Sequence, residues 1–223
     1  MILNFRGPIW FFGFDVAIEI ILTLIVIGLV FYGYRAYKLT KEKKYFYFTA
    51  GFVIIVLDFI IHSFVNSYIY YNLLVHNFCS VSCQMNTLLR LFGICFWIYA
   101  VINLLAYTIL AITFTKSRWR FEIFSSIFLL SIPTLYLLRS FFILNLFAFL
   151  FLIPIIYVTY CNYHKKKSFD SYLVFGAFSF IFLSHLFYIF EFLSGIFYVL
   201  GLSSLFIGYS LLLYLLIRVK KNV

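Results

Sequence analysis

The chain has 223 residues, of which 65% are hydrophobic and 24% aromatic, and its mean hydropathy is +1.08. Soluble domains run nearer about 45–50% apolar, so this composition excludes an ordinary water-soluble fold. The formal charge of +10 would suit a nucleic-acid partner, but the basic residues lie in short links beside apolar stretches, where they orient a membrane chain and meet anionic headgroups, so no nucleic-acid partner is expected.

About 20 apolar residues cross a bilayer as a helix, and seven such stretches follow one another. No cleavable signal is expected, because Met1 to Phe14 lacks a basic start and a small-residue cleavage site. The first span is read at 14–36. Asp15, Glu19 and Thr23 share one of its faces, running inward from the outer surface. After a link rich in Lys and Arg comes the second span, 46–68. There Asp58, His62 and Asn66 stand four apart and form one helical stripe. Asp58 lies 14 residues past Lys44, or roughly 20 Å of helical rise, which puts it near the midplane.

The longest outer loop is read at 69–88 and holds Cys79 and Cys83 in the run CSVSC. A short disulfide suits the oxidising outer side. The spacing is C-x-x-x-C rather than a redox C-x-x-C, and His76 with the two cysteines offers three ligands without a fourth, so no metal is expected. The third span, 89–114, carries Tyr99, Asn103 and Tyr107 on one face. The fourth, 121–138, carries Pro133. The fifth, 141–162, carries Pro154 and is separated from the fourth by a tight turn at Arg139 and Ser140. In the sixth, 171–193, His185 lies 15 residues past Asp170, a depth close to that of Asp58, so the two are expected to meet across the interior. Ser184, Tyr188 and Glu191 are read as one face of the same helix. The last span, 196–217, aligns Gly201, Ser204 and Gly208, a packing face or a dimer seam.

Charge sets the orientation. Fourteen of the Lys and Arg residues fall in alternate links and the C-terminal tail, against Arg6, Arg90 and Arg139 in the others. By the positive-inside bias the expected fold is an all-α bundle of seven transmembrane helices in a single domain, 1–223. Its N-terminus is outside and its C-terminus cytoplasmic, in the plasma membrane. Two hairpins, Tyr37 to His62 and Tyr163 to Tyr188, read alike and suggest a parallel repeat.

Ionisable residues within membrane spans point to function. The candidate midplane site is Asp58, His62, Asn103 and His185, and the candidate outer cavity is Glu19, Asn66, Tyr188 and Glu191. The alternative is that these groups only satisfy one another between helices. Too few ligands gather for a zinc hydrolase, G-x-S-x-G is absent, and no lysine sits mid-way along the last helix to hold retinal. No cofactor and no catalytic residue is therefore expected. The leading reading is a non-enzymatic sensory or scaffolding component acting through its basic inner surface. Its expected partners are anionic inner-leaflet lipids, a cytoplasmic protein and a second copy of the chain. The alternative is a transporter or channel for a small solute or proton. The topology is similar to that of SWEET-type sugar transporters and of seven-helix receptors, but the proline–glutamine signature of the former is absent and no motif of the latter appears, so no residue role is carried over.

Overall fold

The computed structural model describes residues 8–11, 13–75, 81–114, 125–133 and 141–221. Among them all regular structure is helical. A 3-10 turn, Ile9–Phe11, precedes α1, Phe14–Thr40. Then come α2, Lys43–Val75, and α3, Val81–Phe114. Residues 125–133 form a helical segment, α4. Three helices follow: α5, Phe141–Lys166; α6, Phe169–Ile189; and α7, Ile196–Lys221. Six of these are long and apolar enough to cross a membrane, over Phe14–Thr40, Lys43–Tyr68, Cys95–Phe114, Phe141–Lys166, Phe169–Ile189 and Ile196–Arg218. The chain is a multi-pass integral membrane protein, and no soluble domain occurs among the described residues.

The six long helices close a ring. α1 packs on α2, α2 on α3, α3 on α5, α5 on α6, α6 on α7, and α7 returns to α1. Each helix turns one stripe inward. On α1 the buried stripe is Asp15, Glu19, Leu22, Val26, Leu29 and Gly33, while Ile20, Leu24, Ile27 and Phe31 are exposed. Exposed aliphatic and phenylalanine rows of that kind would aggregate in water but are at home against acyl chains. Trp10, Tyr34, Tyr47, Tyr68 and Tyr71 are exposed as well, as aromatic belts require.

Small residues set the closest approaches. A Cβ on Gly208 would come within 2.9 Å of the Ala177 carbonyl oxygen on α6, and one on Gly201 within 2.7 Å of the Tyr188 ring. The small-residue face of α7 therefore packs on α6 of the same chain. The two basic turns are also built alike. Lys41 and Lys167 both adopt the left-handed region, with φ of 57° and 47°. Each donates its backbone N–H to the carbonyl four residues earlier, Tyr37 and Tyr163 respectively, at 2.8 Å. A left-handed residue that recaptures a terminal carbonyl is a common helix stop, and here it falls at matching points of the two similar hairpins.

Two expected boundaries are corrected. The outer loop read at 69–88 is largely helical, since α2 runs on to Val75 and α3 starts at Val81. The run after Tyr68 keeps its helical hydrogen bonding beyond the length a bilayer needs. α6 ends at Ile189 rather than 193, where the Phe190 N–H bonds to the Phe187 and Tyr188 carbonyls. Glu191 thus sits in the turn before α7, not on the face of α6. The Arg139–Ser140 turn lies outside the described residues, as does Cys79. Cys83 is helical in α3, and its side chain, with the expected Cys79–Cys83 disulfide, lies outside what the structure describes. Cys95 and Cys161 are half-buried thiols.

Candidate functional site

Of the three buried carboxylates on α1 and α2, Glu19 and Asp58 line the interior cavity, and their neighbours differ. Glu19 of α1 is 2% exposed. Because α2 packs beside α1, one turn and a half of α2 faces it. His62 Nδ1 lies 2.7 Å from Oε1. Ser63 Oγ donates to Oε2 at 3.2 Å, and Asn66 Nδ2 donates to Oε1 and Oε2 at 3.0 and 3.3 Å. Asn66 Nδ2 also lies 3.2 Å from His62 Nδ1. With the His62 proton directed at Glu19, Nδ1 has no lone pair to offer, and the amide serves the carboxylate alone. Tyr99 of α3 covers the His62 ring at a centroid distance of 5.0 Å. Asp15 does separate work, capping the start of α1 by accepting from the Gly13 and Val16 N–H groups at 2.9 Å.

Asp58 lies one turn deeper on α2 and is also 2% exposed. Its Oδ2 accepts from Asn103 Nδ2 at 2.8 Å. Its Oδ1 is buried with no hydrogen-bond partner. A buried polar atom without a partner is costly, and in a native site it calls for an explanation.

His185 of α6 is held at both ring nitrogens. Nδ1 lies 2.9 Å from Asn145 Oδ1 on α5, and Nε2 lies 2.7 Å from the Tyr107 hydroxyl on α3. The direction of this chain follows from valence. Asn145 Nδ2 donates to the Phe141 carbonyl at 2.9 Å, which fixes the amide with its oxygen toward His185. That oxygen only accepts, so Nδ1 carries the proton. In the neutral ring Nε2 is then the acceptor, and the Tyr107 proton points at it. The Tyr209 hydroxyl of α7 sits beside that of Tyr107.

The expected meeting of Asp58 with His185 is therefore corrected: Asp58 bonds to Asn103, and His185 to Tyr107 and Asn145. The reason is topological. α2 and α6 are not neighbours in the ring, and α3 places Asn103 and Tyr107, one turn apart, between them.

The two histidines and the carboxylates nevertheless open on one cavity of about 40 Å³. Its walls include Glu19, Asp58, His62, Asn103, His185, Tyr188 and Glu191. Of the site residues expected within the described side chains, Asn66 alone is not part of the wall. It acts one step back, on Glu19. Tyr107, Asn145, Ser63 and Tyr209 complete the arrangement. Tyr107 already stood on the same helical face as Asn103 in the sequence, and Asn145 is an isolated amide within an apolar span, a signal that could have been read. Tyr209 is one tyrosine among 19 and gave none. A water needs about 10–15 Å³ of such space, so the cavity suits about three waters or one partly hydrated small ion. Pockets for organic ligands are typically about 300–1,000 Å³. Among the described residues no group of three or more His, Cys, Asp or Glu gathers to hold a metal.

Compared with protein-family models, curated proteins and solved structures, the chain shows no match to any of them.

Proposed function

We propose that this chain is a seven-span membrane protein that passes a proton or a small solute through its interior polar site. The observation that carries the reading is Asp58: a carboxyl buried in the bundle, satisfied at Oδ2 and bare at Oδ1, on the wall of a water-sized cavity. A carboxyl kept only to lock helices together would have both oxygens met by donors, as Glu19 has. The cavity volume favours a proton or an ion over a sugar-sized solute.

In this reading α4 is the remaining span, the N-terminus is outside, and the basic links face the cytoplasm and the anionic inner leaflet of the plasma membrane. Labelling single cysteines from outside should modify position 78 and spare positions 42, 117 and 166. Modification at 42 would reverse the orientation.

The sensory reading keeps one supporting observation. A cavity this small can be occupied without being a passage, and a cytoplasmic partner would then receive the signal. Reconstitution separates the two. The purified chain on a solid-supported membrane is challenged in turn with jumps in pH, alkali cations and neutral solutes. Transient currents that vanish in Asp58→Asn support passage. Absence of current for every challenge, from protein that is folded and inserted, would overturn it in favour of sensing.

A further inference from the structure

The direction of the Tyr107–His185–Asn145 chain has a consequence for what the cavity can hold. The Phe141 carbonyl fixes Asn145, Asn145 fixes the His185 proton on Nδ1, and Nε2 takes the Tyr107 proton at 2.7 Å. The Tyr107 oxygen is left with lone pairs only. Tyr107 lines the cavity together with Asp58, whose Oδ1 has no donor. The neighbouring Tyr209 hydroxyl can give its proton to Tyr107 and is then an acceptor too. Buried oxygens that present lone pairs to a common space repel one another and reject anions and acceptor groups. They are met by positive charge.

We propose that a sodium-sized alkali cation and a proton compete for one seat at Asp58 Oδ1, with His185 as the positioning residue that keeps the Tyr107 oxygen an acceptor. The inference rests on the cavity reading above and names what occupies it. A cavity with room for about three waters and a single bare carboxylate oxygen cannot seat a cation while Oδ1 holds a proton. The two therefore exclude each other, and where Asp58 carries a proton, cation binding must release it. If His185 took up a proton, Nε2–H would point at Tyr107, the Tyr107 proton would turn to the cavity, and the seat would be spoiled.

The titratable groups facing Asp58 across the cavity are Glu19 of α1, His62 of α2, Tyr99 and Tyr107 of α3, His185 and Tyr188 of α6, Glu191 of the turn, and Tyr198 and Tyr209 of α7. Of these, Glu19 and His62 bond to each other, so a pH effect of the Asp58 seat must disappear with Asp58 and survive Glu19→Gln.

The test uses the full chain purified in detergent. Its unfolding temperature is followed in sodium, lithium, potassium or choline chloride at equal ionic strength, on both sides of neutral pH. Sodium or lithium should raise the unfolding temperature over choline, more strongly at the higher pH. Sodium added to weakly buffered protein should release a proton. Asp58→Asn should lose both effects. In His185→Phe the Tyr107 proton loses its acceptor and competes for Asp58. Hydrogen bonds to charged groups are strong enough that sodium should bind about tenfold more weakly. Tyr107→Phe takes away one acceptor but puts no donor beside Asp58, so it should weaken sodium less than His185→Phe does, whereas a merely structural role for His185 sets no such order. Equal stability in sodium and choline at every pH overturns the proposal, as does a Tyr107→Phe variant that binds sodium more weakly than His185→Phe. The outcomes stay separable from the passage reading. Currents that need Asp58 without any response to alkali cations overturn the cation seat alone, and cation-linked stability without current supports the seat and removes passage.

Discussion

Glu19 and Asp58 are equally buried and lie about one helical turn apart in depth, yet one is surrounded by donors and the other is half bare. His62, Ser63 and Asn66 converge on Glu19, whereas Asp58 has Asn103 at one oxygen and nothing at the other. The contrast separates two uses of charge in a membrane. A satisfied carboxylate locks α1 to α2, and its removal strands three donors. An unsatisfied one is carried at a loss of stability, which evolution tolerates where a ligand or proton makes up the difference.

The largest effect should come from reversing these roles. Glu19→Leu leaves His62, Ser63 and Asn66 without their acceptor, and removing one partner of a buried charged group typically costs about 3–5 kcal/mol. The double change Asp58→Leu with Asn103→Leu removes a half-satisfied pair whole and should be near neutral or stabilising. Thermal unfolding in detergent measures both, and equal losses would erase the distinction. An intermediate effect should come from Gly208→Ala. The new methyl meets the Ala177 carbonyl at 2.9 Å and forces α7 off α6, at about 1–3 kcal/mol. It shifts Tyr209 and His185, the walls of the Asp58 cavity, and leaves the Glu19 cluster on α1 and α2 alone. Gly176→Ala is the control: nothing lies within 4 Å of its added carbon, so helix propensity should make it stabilising by about 0.5–1 kcal/mol. The smallest effect belongs to Arg218→Ala. Its Nε lies 3.7 Å from Asp170 Oδ1 with both side chains over a third exposed, and such pairs contribute about 1 kcal/mol or less. A large loss there would mean that the α6–α7 end, not the buried carboxylates, governs stability.

Much of this was legible in the sequence because depth along a membrane helix is a count of residues. Asp58, His62 and Asn66 read as one stripe, Asn103 and Tyr107 as another, and both stripes do face the interior. What the count could not supply was which helices are neighbours. His185 has the depth of Asp58 but stands across the ring, and only the packing of α3 between α2 and α6 gives each its own partner. Glu19 does line the cavity, but its cluster of donors emerges only once α1 and α2 are seen side by side. Helix ends were the other weak point. Apolar sequence past Tyr68 prolongs α2, and the stop at Ile189 moves Glu191 into a turn, because hydropathy marks the span rather than the hydrogen-bonded helix.

The most direct test of the contrast is proton flux into proteoliposomes, driven by a potassium diffusion potential and normalised to folded protein, for Asp58→Asn beside the unaltered chain. Asp58→Asn should fold with an unfolding temperature close to that of the parent and carry no flux above protein-free vesicles. Flux at the parent level from Asp58→Asn would contradict this, and would reduce Asp58 to one more polar group between helices.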